Sequence, residues 1–235
     1  MFNTLITILF TALLLVGMPA LSYSTARNPQ IRQVPRVGLY VSAMVSQWVL
    51  TALGWGVVFV AARDVIMKGF AVPPLADALR WAGGIALAAL VALSFVIVLE
   101  RRGWLPRESD LVYLLIPETP REKVWSVLAL APTAAFCEEF LYRGYLLAQL
   151  NHWLHSWLWA WVACSLAFGL AHFYQGWGGM TRAALLGALL AYPVVRLGNL
   201  YPSMLAHWAI DAVALVGLGP LMIPKDASAE GRMLE

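Results

Sequence analysis

Seven long apolar runs, near residues 2–22, 38–62, 79–99, 124–150, 155–172, 181–198 and 203–223, decide most of what this chain can become. A helix needs about 20 apolar residues to cross the roughly 30 Å hydrocarbon core of a bilayer, and in lipid every backbone polar group must be satisfied internally. The runs therefore predict an all-α polytopic transmembrane bundle of about seven spanning helices, with an eighth crossing as the alternative count. Composition agrees, since 61% of the residues are hydrophobic and only 12% charged, about half the charged share of a soluble domain. The first run carries no basic n-region and is long for a signal peptide, so it predicts a retained helix.

Short connections rich in Pro, Gly and charge separate the runs, and their basic residues predict the orientation. Arg27, Arg32, Arg36, Arg101, Arg102, Arg107, Arg121 and Lys123 fall in the first and third connections. Fewer fall in the second, which holds Arg63, Lys68 and Arg80. The excess of Lys and Arg on cytoplasmic loops puts the N-terminus outside and the C-terminus in the cytoplasm, most simply of a bacterial inner membrane. The net charge of +3 then reflects basic loops at anionic headgroups and gives no reason to expect a nucleic-acid partner. Cys137 and Cys164 lie inside apolar runs without CxxC spacing and read as small core residues. The chain divides into N-terminal helices and basic loops (1–123), a helical core (124–223) and a polar tail (224–235).

Six side chains stand out against this background: Glu138, Glu139, Arg143, His172, His207 and Asp211, all with apolar neighbours. An ionisable residue at membrane depth costs about 2.5–3.5 kcal/mol on insertion scales, so a cluster implies pairing, a wet cavity or chemistry. Glu139 and Arg143 are four apart and can neutralise each other on one helix face. Glu138 points elsewhere, and a carboxylate without a cation in a poorly solvated cleft makes an effective general base. His207 and Asp211 are also one turn apart, which suits a metal site, an oriented imidazole, or a structural hydrogen bond between helices. His172, alone at a helix end, reads more readily as a hydrogen-bonded structural residue than as a catalyst.

Taken in order, Glu138-Glu139 with Arg143, Phe168 with His172, and His207 with Asp211 are similar to the motif set of the CPBP family of intramembrane proteases. That family contains the CAAX prenyl-endopeptidases and the Abi proteins, and the resemblance covers roughly residues 124–217. It implies hydrolysis of peptide bonds in membrane-associated or lipidated protein substrates within the lipid bilayer. Glu138 would activate a water, His172 would hold it, His207 with Asp211 would stabilise the oxyanion, and Glu139 and Arg143 would form the supporting ion pair. The resemblance leaves metallo- and glutamic-type chemistry open. Glu138, His172 and His207 would make a two-His, one-carboxylate set for a divalent metal, zinc first, although no HExxH is present.

Asp211 stands where the prenyl-protease branch has Asn, and an ionised carboxylate cannot donate to an oxyanion. It must therefore be protonated, orient His207 or bind a cation. Two other classes compete with the enzyme: a binding-only membrane protein of bacteriocin-immunity or scaffold type, and an ion-coupled transporter, which would also explain buried carboxylates and imidazoles. Geometry poses a difficulty for all of them. If the fifth and seventh runs cross in parallel, His172 and His207 are offset by about 15–20 Å at 1.5 Å per residue.

Overall fold

A computed structural model describes residues 2–106 and 108–222, so the polar tail expected at 224–235 lies outside the described residues. The described chain is a helical bundle without strands. Six helices are long and apolar enough to span a membrane: α1 (Asn3–Arg27), α2 (Arg36–Ala62), α3 (Leu75–Arg101), α4 (Pro120–Leu154), α6 (Gly176–Leu197) and α7 (Tyr201–Met222). A shorter apolar helix, α5 (Trp157–Ala171), completes the set. These are the seven runs of the sequence, with several ends shifted by a few residues. The gap left between the fifth and sixth runs, residues 173–180, is helix from Gly176 onward.

Local chemistry fixes the ends. Thr119 and Glu122 close a capping box at the start of α4, with Pro120 in the first turn, where a missing N–H costs nothing. Ser156 caps α5 by accepting from the Trp159 N–H. Gly198 ends α6 at φ 64°, a left-handed cap that glycine adopts without strain. Many large apolar side chains face outward, among them Val45, Leu87, Phe95 and Leu166. Lipid is the solvent that makes such a surface tolerable.

α4 is the hub. Over half of its apolar window is buried, against a third or less for the other spans. It runs continuously through the polar motif, widening to a π-helix over Ser126–Leu130 and again over Glu139–Leu146. Such i→i+5 stretches are rare and concentrate at functional sites, because the wider turn re-aims the side chains around it. Every residue of the second stretch is buried.

Two features remove the expected offset between the histidines. α5 has 15 residues, so at 1.5 Å per residue it is about 22 Å long, shorter than the roughly 30 Å hydrocarbon core. It packs closely on α6, where a Cβ at Gly169 would meet the Met180 carbonyl at 2.8 Å. α7 re-enters beside the middle of α6: the Ser203 hydroxyl donates to the Leu190 carbonyl oxygen at 2.7 Å. The end of α5 and the first turns of α7 thus both reach α4 near the motif.

Candidate active site

Glu138 is the last residue before the second π-stretch of α4, and Glu139 is the first within it. Adjacent positions on a helix point in different directions, and here the two carboxylates enter different environments. Glu139 is fully buried. Its Oε1 accepts from Arg143 Nη1 at 3.0 Å and from His207 Nδ1 at 2.8 Å. Arg143, only 1% exposed, also places its guanidinium carbon 4.1 Å from the centre of the Phe168 ring, a cation–π contact strengthened by the absence of water. Space for the guanidinium depends on Gly187, where a Cβ would lie 3.3 Å from Arg143 Nη2.

Glu138 faces the wetter side, with 17% of its side chain accessible beside His172 at 16% and Asp211 at 29%. Its Oε2 lies 4.0 Å from His172 Nε2 and 3.9 Å from His207 Nε2. Those gaps exceed a direct hydrogen bond, which ends near 3.2 Å. A water bonded to both members of a pair at about 2.8 Å spans these gaps at an angle near 90°. His172 is the C-terminal cap of α5, and its Nδ1 sits 2.7 Å from the Phe168 carbonyl oxygen. A carbonyl can only accept, so Nδ1 carries the proton and the Nε2 lone pair turns toward Glu138. His207 donates from Nδ1 to the Glu139 carboxylate, leaving Nε2 between Glu138 and Asp211, whose Oδ2 is 3.5 Å away.

All six side chains singled out in the sequence therefore meet in one cluster, a dry layer of Glu139, Arg143 and His207 beneath an accessible layer of Glu138, His172 and Asp211. Sequence reasoning missed a seventh. Gln47 of α2 donates from Nε2 to Glu138 Oε1 at 2.7 Å. Its only signal was an amide inside an apolar run. A second polar cluster was also missed: Arg182 of α6 pairs with Glu100 of α3 at 3.2 Å and with Glu108 of the third connection.

The spacing bears on the zinc expected at Glu138, His172 and His207. Donor atoms around a tetrahedral zinc with 2.0–2.1 Å bonds lie about 3.3 Å apart, closer than the contacts to Glu138 Oε2. Among the described residues no group of three or more His, Cys, Asp or Glu side chains is arranged to hold a metal ion.

Residues 120–213 match the family described as type II CAAX prenyl endopeptidase Rce1-like. No curated protein and no solved structure matches the chain.

Proposed function

We propose that this chain, whose residues 120–213 belong to the Rce1-like CAAX endopeptidase family, is an intramembrane endopeptidase that cuts membrane-associated or lipidated protein substrates with a glutamate-activated water. The observation that carries the reading is the convergence of Glu138 Oε2 with both imidazoles at 3.9–4.0 Å. A structural ion network would close those gaps into direct bonds. Held slightly open, they leave room for a reactant.

The proposed sequence of events follows from the hydrogen-bond directions. A water between Glu138 and His172 donates one proton to the Glu138 carboxylate and the other to the His172 Nε2 lone pair. Its oxygen lone pair then faces the scissile carbonyl carbon. As the oxygen–carbon bond forms, Glu138 takes the proton, and negative charge develops on the former carbonyl oxygen. His207, protonated at both nitrogens, donates Nδ1–H to Glu139 and Nε2–H to that oxygen, a contribution of several kcal/mol in a low-dielectric site. Glu138 then passes its proton to the amide nitrogen as the carbon–nitrogen bond breaks. Arg143 keeps Glu139 ionised and in place.

Asp211 takes the orienting role in this scheme. Its Oδ2 lies 3.5 Å from His207 Nε2, close enough to hold the ring and loose enough to release the Nε2–H to an oxyanion. Zinc finds no support in the donor spacing, so no step passes through a metal. The family description names prenylated CAAX proteins, and they are the first substrate class to test. A cytoplasmic location of the basic connections, with the N-terminus outside, belongs to the same proposal.

The test is a comparison of membrane peptidomes from one host expressing wild type, Glu138→Gln or His172→Ala at equal membrane levels. Peptides that appear only with wild type identify the substrate. Identical peptidomes would refute the enzyme reading and favour a binding-only protein.

A further inference from the structure

α2 lies outside the segment that carries the family match, yet one face of it is fitted to the motif helix. Gln47, Thr51, Gly54 and Trp55 follow the i, i+4, i+7, i+8 spacing of a single helix stripe. Trp55 stacks on Phe140 with ring centres 4.6 Å apart. Gly54 allows the approach, since a Cβ there would come within 2.9 Å of the Phe140 ring and 3.3 Å of Leu141. Next to the stripe, Trp48 stacks on Phe136 and donates its indole N–H to the Thr133 hydroxyl at 3.3 Å. Aromatic rings and a close backbone approach thus fix the register of α2 on both sides of Glu138.

This register delivers the Gln47 amide to Glu138 Oε1 at 2.7 Å. Only the NH₂ end can face a carboxylate, because the opposite orientation would set two acceptors against each other. Gln47 Oε1, the other end, is buried and has no hydrogen-bond partner among the described residues. A buried acceptor left unpaired costs about 1–3 kcal/mol, so α2 accepts a penalty to keep the donor on Glu138. The bond ties down one oxygen of the carboxylate and leaves Oε2 as the one that meets the two imidazoles.

We propose that Gln47 is a positioning residue of this site: its amide locks the Glu138 carboxylate so that Oε2 alone is presented to the hydrolytic water. The proposal rests on the protease reading above. It also makes α2 part of the working enzyme, beyond any role as an anchor.

Full-length variants in proteoliposomes test it, with a membrane peptide cleaved by wild-type proteoliposomes and not by protein-free liposomes as the probe. Gln47→Leu removes the donor and should lower kcat about 10- to 100-fold, the equivalent of losing a hydrogen bond to a charged group, with KM within about twofold. Gln47→Glu supplies a donor only when protonated. Two adjacent carboxyls share one proton at low pH and repel once both ionise. The ratio of Gln47→Glu to wild-type kcat should therefore fall as pH rises. A wild-type kcat in Gln47→Leu, or a pH-independent ratio in Gln47→Glu, overturns the positioning role, and the second measurement decides even where Gln47→Leu folds poorly. Cleavage by Glu138→Gln at the wild-type rate would instead overturn the protease reading itself.

Discussion

Two glutamates adjacent in sequence divide one motif between structure and chemistry. Glu139 is held through Oε1 by Arg143 and His207 in a dry layer; Glu138 keeps an oxygen toward the accessible side. The cost of that dry layer gives a direct expectation. Removing one partner of a buried ion pair strands the other charge, at about 3–5 kcal/mol. Arg143→Ala should therefore lower the melting temperature in detergent markedly, whereas Glu138→Gln should leave it nearly unchanged. Equal losses in the two variants would mean that Glu138 is structural as well. The Glu139–Arg143 pairing was legible because i,i+4 spacing survives even in a π-helical stretch. Gln47 was not legible, because a lone amide in an apolar helix has no direction until a neighbouring helix docks against it. Asp211 was legible as a partner of His207, and its Oδ2 lies 3.5 Å from His207 Nε2.

Among the elements, α5 and the third connection do most to place His172. The fifth run was visible in the sequence, but where its short helix ends against the neighbouring helices follows only from the packing of α5 on α6. The turn after His172 is held from both sides: Tyr174 N–H donates to the Ser22 hydroxyl of α1 at 3.0 Å, and Ser109 N–H donates to the Gln175 carbonyl at 2.9 Å. Next to Ser109, Glu108 shares Arg182 with Glu100, so one guanidinium serves two carboxylates. Burial, with the nearby Glu100 charge adding to it, pushes the Glu108 carboxyl up from 4.5 to about 7, and Arg182 opposes the rise only in part. The folded state thus holds the Glu108 proton more tightly than the unfolded chain does. Its contribution to stability is complete below about 4.5 and is lost as pH rises through about 7. Melting temperatures measured across that window should decline more in wild type than in Glu108→Gln. Parallel curves would show that Glu108 does not titrate there.

For the whole molecule, the decisive physics is the solvent. Lipid dictates helices, and the apolar runs made the all-α bundle and its segments readable without any structure. What could not be read was which helices touch, since side chains facing lipid and side chains facing other helices are equally apolar. The segment matched by the family, 120–213, contains the two glutamates and both histidines of the site. The amide that orients Glu138 nevertheless comes from α2, and the clamp on the His172 turn comes from α1 and the third connection. The proposed orientation rests on charge. If the basic first and third connections face the cytoplasm, Arg102→Cys should be protected from a membrane-impermeant thiol reagent in intact cells while Val72→Cys is labelled. The reverse pattern would invert the topology.

The most direct measurement of the central claim uses the purified full-length chain in proteoliposomes, a membrane peptide cleaved by wild type and not by protein-free liposomes, and water enriched in ¹⁸O. Wild type should release a fragment with a single ¹⁸O in its new carboxyl end, and Glu138→Gln should release none. Labelled fragment from Glu138→Gln at the wild-type rate would contradict a water held between Glu138 and His172 and activated by Glu138.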